Sequence, residues 1–246
     1  MKGREIQPEL RQRPLADSIV QMEDDENVIR SVRGLHQGDR SSLTSVIDER
    51  GSTRAYYEAN AADYAARTLT LSVTEALGAF LATLPQGAMI VDLGCGAGRD
   101  LEVIARQGRP VVGLDLAESL ARIARRHSGA PVVVADMRQM PFPDETFDGA
   151  WAAASLLHLA RAEIPGSLTE IRRILKVGGR LFTSVKSGAN EQQDSDGRWF
   201  TYFDPQEWHA SVHAAGFEVE RLDVQVGGSS QQGAWARWIN CWARRR

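Results

Sequence analysis

A chain of 246 residues and 27.1 kDa is long enough for one α/β domain with a sizeable core and some residues to spare. Its 43% hydrophobic and 25% charged content is ordinary for a globular protein, and a net charge of −3 with a pI of about 6.0 creates no global field for polyanions, so nucleic acid is not expected as a substrate. Two cysteines without metal-ligand spacing, no secretory h-region and no apolar run of about 20 residues lead us to expect a reduced, cytoplasmic protein with no metal site and no membrane span.

Residues 1–50 contain no Phe, Trp or Tyr and are dense in Arg, Gln, Asp, Glu and Ser, too little apolar area for a core of their own. Leu15, Ile19, Met22, Ile29 and Val32 allow one side of a docking helix. The segment therefore reads as a partly ordered N-terminal extension, or else as a substrate lid or an oligomer contact, and both a monomer and a homodimer remain open. Folded character begins near Gly51. Tyr56, Tyr57, Tyr64 and the apolar positions around Ala61 and Ala65 predict a helix, and Leu71, Val73, Leu77, Phe80 and Leu81 predict a second one that ends before Pro85.

Residues 89–100, from Met89 to Asp100, read as a buried strand, a glycine-rich turn and a helix start. Without a Cβ, Gly94, Gly96 and Gly98 can take positive φ and admit a ligand close to the backbone, while the helix start offers unpaired N–H groups. The dinucleotide fingerprint requires a glycine at the sixth position counted from Gly94, and that position holds Arg99. What remains is Asp92 two residues before Gly94, then glycines at every second position.

A second apolar run ends in Asp115, 21 residues beyond Gly94, close to the spacing at which a strand-tip carboxylate meets ribose hydroxyls. Asp115 is also placed to cap a helix starting near Ala117. A third run, Pro131 to Met137, ends in Asp136. The proline-punctuated loop around Pro141 and Pro143 leads to a fourth strand over 147–152, followed by Ala153 to His158. A helix containing Leu168, Ile171, Ile174 and Leu175 is expected to stop at Gly178-Gly179, with a fifth strand over 180–186. Residues 187–204 read as a polar loop longer than a plain connection needs, a candidate substrate lid. A helix over 205–215 and two strands over 217–226 and 234–243, joined at Gly227-Gly228, complete the pattern with an antiparallel hairpin. His209 and His213 lack the Glu of H-E-x-x-H, so zinc is not expected there.

The acid-x-G-x-G-x-G turn, the strand-end acids in series, the helix-glycine-strand unit and the terminal hairpin resemble the class I S-adenosylmethionine-dependent methyltransferases over residues 51–246. The nearest in flavour is the bacterial group around the ubiquinone and menaquinone C-methyltransferases. This resemblance implies a Rossmann-like, mostly parallel sheet of seven strands in order 3-2-1-4-5-7-6, the last antiparallel, flanked by helices. It implies S-adenosylmethionine as cofactor and S-adenosylhomocysteine as product. Asp92, Gly94, Cys95, Gly96 and Gly98 would then form the cofactor turn, Asp115 and Leu116 would meet the ribose, and Asp136 and Met137 the adenine. Tyr57 and Tyr64 would either fold over the cofactor or pack on the sheet edge. Ala153 would stand where the transferred methyl points, and His158 beyond it is the candidate general base, with a purely structural histidine as the alternative. Lys186, Trp199 and Tyr202 are weaker pocket candidates. The Asn/Asp-Pro-Pro-aromatic pattern of base amino-methyltransferases is absent, so the expected reaction is methylation of an O, N or C atom of a small molecule. Methylation of RNA or protein, and a non-catalytic cofactor-binding module, are the alternatives.

Overall fold

A computed structural model describes residues 47–71, 75–229 and 235–246. The readings for residues 1–46 and for Val73 fall outside the described residues. Three helices, α1 (Ile47–Ala59), α2 (Ala61–Thr68) and α3 (Glu75–Ala82), precede an alternating run: β1 (Ile90–Leu93), α4 (Arg99–Arg106), β2 (Val111–Asp115), α5 (Glu118–Ser128), β3 (Val132–Val134) and β4 (Phe147–Ala153). The chain continues through α6 (Ile164–Ile174), β5 (Leu175–Ser187), a short pair β6 (Glu191–Gln193) and β7 (Trp199–Phe203), α7 (Pro205–Ala214), β8 (Phe217–Ser229) and β9 (Trp235–Arg245).

Strands β3-β2-β1-β4-β5 are parallel neighbours, β9 runs antiparallel beside β5, and β8 pairs with β9. With β8 and β9 as the sixth and seventh strands of the core, this is the expected order and the expected single reversed strand. Both faces are apolar, as a sheet covered by helices on each side requires. Val91, Leu93, Ala150, Leu181 and Val185 pack against Leu168, Ile171, Trp208 and Val212 on one side, while Ile90, Trp151 and Phe182 meet Leu77, Phe80, Leu101 and Ile104 on the other. Two buried indoles are paired: Trp151 Nε1 donates to Asp100 Oδ2 at 3.0 Å and Trp208 Nε1 to Thr183 Oγ1 at 3.0 Å, whereas Trp242 Nε1 is buried without a partner.

Two local readings are corrected. Residues 187–204 are not a plain loop, because the aromatic and β-branched run Trp199-Phe200-Thr201-Tyr202-Phe203 forms β7, hairpinned with β6 and paired with the end of β5 through Lys186↔Tyr202 and Ser187↔Phe203. The Gly178-Gly179 pair does not cap α6. That helix ends at Ile174, and residues 176–179 bulge out of β5, since Phe147 pairs with Leu175 but Gly149 with Arg180. Gly178 supplies φ +76 there, and a Cβ on Gly179 would stand 2.8 Å from the Lys176 carbonyl oxygen, so both glycines serve the bulge. No helix among the described residues is long and apolar enough to cross a membrane.

Candidate active site

The carboxyl ends of β1, β2, β3 and β4 converge where the sheet order reverses, the usual ligand position in an open α/β sheet. A cleft of about 840 Å³, counting its open mouth, lies there under α1. Gly94 and Gly96 form its floor at φ +73 and +56. A Cβ on Gly94 would fall 2.4 Å from Ser155 Cβ, so only glycine lets the turn after β4 close against the turn after β1.

Asp115 bonds at the start of α5, where a capping role was open to it, and to the glycine turn as well. Its Oδ2 accepts from Gly96 N at 2.8 Å and its Oδ1 from Ala117 N at 2.9 Å, tying the glycine turn to the start of α5. Each oxygen retains acceptor capacity for a ribose hydroxyl. Burial raises this carboxyl to about 6, against the pull of the backbone donors. Asp136 also lines the cleft, but Arg138 Nε donates to its Oδ1 at 2.8 Å and to its Oδ2 at 2.9 Å, and Arg138 Nη1 reaches Glu163 at 2.6 Å. An amine arriving there would share the carboxylate with Arg138, a partner that no spacing in the sequence announces.

Tyr57, Tyr64, Leu116 and Met137 line the cleft as well. Four other expected residues are not part of its lining. Cys95 is buried with its sulfur against Gly113, Gly98 abuts Ala124, Ala153 packs toward the Trp151 face, and Asp92 is 3% exposed. Asp92 Oδ2 and Ser155 Oγ are buried without a hydrogen-bond partner, and burial, with Asp100 and Asp115 nearby, lifts the Asp92 carboxyl well above its usual range. Ser155, which lines the cleft, was not anticipated; it follows strand β4 with no motif of its own. The Cβ-free cradle, a strand-tip carboxylate and orphaned polar atoms fit a nucleoside carrying hydroxyl and ammonium groups, as S-adenosylmethionine does.

Helix α1 is fastened over the cleft from two sides. Glu58 accepts from Glu118 N at 2.7 Å and Ser119 N at 2.9 Å, at the positive end of α5. Thr53 Oγ1 accepts from Trp199 N at 2.7 Å. Between them Tyr57 lies edge-on to Tyr64, with centroids 5.2 Å apart, and its hydroxyl meets His158 Nε2 at 3.0 Å. The other ring nitrogen, Nδ1, lies 2.7 Å from the Trp199 carbonyl oxygen. A carbonyl can only accept, so Nδ1 carries the proton and Nε2 accepts from the Tyr57 hydroxyl.

The contacts of His158 are those of the structural histidine that stood as the alternative to a general base. Both nitrogens are in use, and burial pushes the imidazole down to about 4 although the Trp199 carbonyl opposes the shift. Burial also raises the Tyr57 phenol far above its usual value, so handing its proton to His158 is uphill. The pair is a neutral pin joining α1, the turn after β4 and β7. An imidazole released to water titrates near 6.5, so between pH 6.5 and 4 the opened state takes up a proton that the closed state refuses. Closure is then complete above pH 6.5 and weakens on acidification by about 1.4 kcal/mol per pH unit. Amide hydrogen exchange in α1, corrected for intrinsic rates, should lose protection from pH 7 to pH 5 in the wild type, whereas His158→Gln should show no such change. Equal losses in the two proteins would refute the pin; Asp115 titrates in both and cancels.

Residues 91–183 match the family described as Methyltransferase domain. Demethylmenaquinone methyltransferase of Corynebacterium kroppenstedtii is 36% identical over 95 residues, 39% of this chain and 40% of that protein. A tRNA (carboxymethyluridine(34)-5-O)-methyltransferase of Arabidopsis thaliana is 33% identical over 120 residues, 48% of this chain and 28% of the relative. The chain spans 38% to 41% of the length of the first curated relatives it matches. In fold, it is similar to a Burkholderia thailandensis 1,6-didemethyltoxoflavin-N1-methyltransferase with bound 1,6-didemethyltoxoflavin and S-adenosylhomocysteine, at TM-score 0.66 and 22% identity, covering 84% of this chain and 93% of that one. The methyltransferase domain matched over residues 91–183, the strand order and the glycine turn closed on a strand-tip carboxylate agree with the resemblance to the class I S-adenosylmethionine-dependent methyltransferases.

Proposed function

We propose that this protein transfers a methyl group from S-adenosylmethionine to an oxygen, nitrogen or carbon atom of a small molecule. The observation that carries the reading is the Gly94–Gly98 turn locked to Asp115 inside a cleft roofed by tyrosines. When bound, the cofactor supplies a methyl group already activated on a sulfonium. The residues of the chain then have to bind, align and keep dry. Asp115 receives the ribose hydroxyls, Asp136 and Met137 border the adenine, and Tyr57 and Tyr64 screen water from the reacting end. Alignment of this kind can supply roughly 7 to 11 kcal/mol of a barrier. His158 contributes through Tyr57, by holding α1 closed over the reactants.

A small acceptor is favoured over a polymer because α1 and the β6–β7 hairpin enclose the mouth: Ser52 Oγ donates to the Gly197 carbonyl at 2.6 Å, beside the Thr53–Trp199 bond. The negative net charge works in the same direction. One of the reported relatives acts on tRNA, so RNA has its own test: salt-sensitive retention on immobilised RNA would replace the small-molecule reading. For the cofactor, calorimetric titration with S-adenosylhomocysteine should give micromolar affinity, and NADH under the same conditions should give none. Binding of NADH alone would overturn the assignment. Turnover of labelled S-adenosylmethionine with metabolite extracts then separates an enzyme from a binding module.

A further inference from the structure

The tips of β3, β2, β1 and β4 lie side by side in the sheet, and a residue at or just after each of them lines the cleft: Asp136 after β3, Asp115 at the end of β2, Gly94 after β1 and Ser155 after β4. With adenine beside Asp136 and ribose on Asp115, a ligand that continues in the same direction reaches the meeting of Gly94 and Ser155. Two strand spacings separate β2 from β4, roughly 10 Å. The chain that leaves the ribose in S-adenosylmethionine, a sulfur followed by an amino-acid tail, covers that reach.

Ser155 is 5% exposed, and its Oγ has no hydrogen-bond partner among the described residues. A buried hydroxyl in that state is uncommon and costs free energy. Main-chain groups beside it are engaged: the Ser155 carbonyl accepts from His158 N at 3.1 Å, and Ala154 N donates to Ser184 Oγ at 2.9 Å. The hydroxyl is left over. It stands 3.3 Å from the point where a Cβ on Gly94 would lie, on the side of the floor that glycine keeps open. Asp92, two residues before Gly94 and paired in register with Trp151 of β4, has a second unpartnered oxygen, Oδ2. Burial, with Asp100 and Asp115 nearby, lifts that carboxyl well above its usual range, and a cation brought close relieves the repulsion. Two oxygens in want of donors, one of them a carboxyl, suit an ammonium with its three N–H groups; the carboxylate at the other end of the same tail would face like charge.

We propose that Ser155 is a cofactor-binding residue whose hydroxyl accepts from the ammonium group of S-adenosylmethionine, with Asp92 as counter-charge, an inference that rests on the reading of this cleft as the cofactor site. Calorimetric titration of the wild type with S-adenosylhomocysteine comes first, and absence of binding removes both that reading and this proposal. Two truncated ligands then divide the tail. Methylthioadenosine keeps the nucleoside and the sulfur but lacks the amino acid, and 5′-deoxy-5′-(3-aminopropylthio)adenosine keeps the ammonium but lacks the carboxylate. Ser155→Ala should weaken S-adenosylhomocysteine and the aminopropyl ligand by about tenfold each, the size of one hydrogen bond to a charged group, and leave methylthioadenosine unchanged. The alanine keeps the Cβ that packs on Gly94, and Ser155→Gly replaces it if it fails to fold. A loss shared equally by all three ligands would mean that Ser155 only shapes the turn. Unchanged affinity for S-adenosylhomocysteine would mean that the hydroxyl meets water, and a loss confined to S-adenosylhomocysteine would assign it to the carboxylate. Each of these three results overturns the proposal and leaves the cofactor site standing.

Discussion

Replacing Asp115 with alanine is expected to weaken S-adenosylhomocysteine binding by roughly a hundredfold, the loss of two charge-assisted hydrogen bonds to a buried carboxylate. The effect has two parts. The ribose loses its acceptors, and the N–H groups of Gly96 and Ala117 lose theirs, so the turn and the start of α5 are no longer tied. Asp115→Asn keeps one oxygen and should fall between wild type and Asp115→Ala. Calorimetry on the three proteins orders them, and equal affinities would end the ribose assignment.

The same carboxylate sets a pH dependence whose sign is fixed. Its folded value, about 6, lies above its ordinary 3.8, so between those limits the folded chain keeps a proton that the unfolded chain has lost. Asp115 therefore favours folding at acid pH and opposes it as the pH rises through 6. Ligand hydroxyls donate to the ionised form, so affinity should climb from pH 5 to pH 7 and then level off. In Asp115→Asn the climb should vanish.

Gly98→Ala is expected to be strongly destabilising. Gly98 sits at φ +90 as the residue before α4, and a Cβ there would stand 2.8 Å from Ala124 Cα and 3.1 Å from the Ala124 carbonyl oxygen. The positive φ alone costs about 1–2 kcal/mol for an L-residue. The clash is with backbone in the middle of α5, so relief requires that helix to move, for a total of about 3–4 kcal/mol. Gly108→Ala is the control, since Gly108 has φ +71 but nothing within 4 Å of its added Cβ. Urea denaturation should show Gly98→Ala well below Gly108→Ala. Coincident midpoints would mean that α4 and α5 are not held apart by this glycine.

Much of this architecture follows from local chemistry that a sequence displays. Apolar β-branched runs at 90–93, 111–115 and 132–134, each separated by a helical period, have few alternatives to a parallel sheet with helices on both faces. Gly94, Gly96 and Gly98 announce a turn with positive φ because no other residue adopts that backbone at so little cost. The acid at the tip of β2 could be singled out by its distance from that turn.

What depends on contacts between distant segments was not legible. Gly178-Gly179 carries the same local signal as a helix end, and only the pairing of β5 with β4 makes it a bulge. Arg138 on Glu163, Ser155 beneath Gly94, and Lys186 over Phe200 are meetings across 25, 61 and 14 positions that no periodicity encodes. His158 shows the difference most directly. Its residue type fits a general base, but the closing of α1 and β7 around it places Tyr57 on one nitrogen and the Trp199 carbonyl on the other. Burial then holds it neutral, because an ionised ring would lose its hydration there, and the Arg198 and Lys186 cations oppose its charge more than Asp194 favours it. A sequence specifies which groups can ionise or donate; the packing of remote elements sets their dielectric surroundings and their partners, and those decide what each group does.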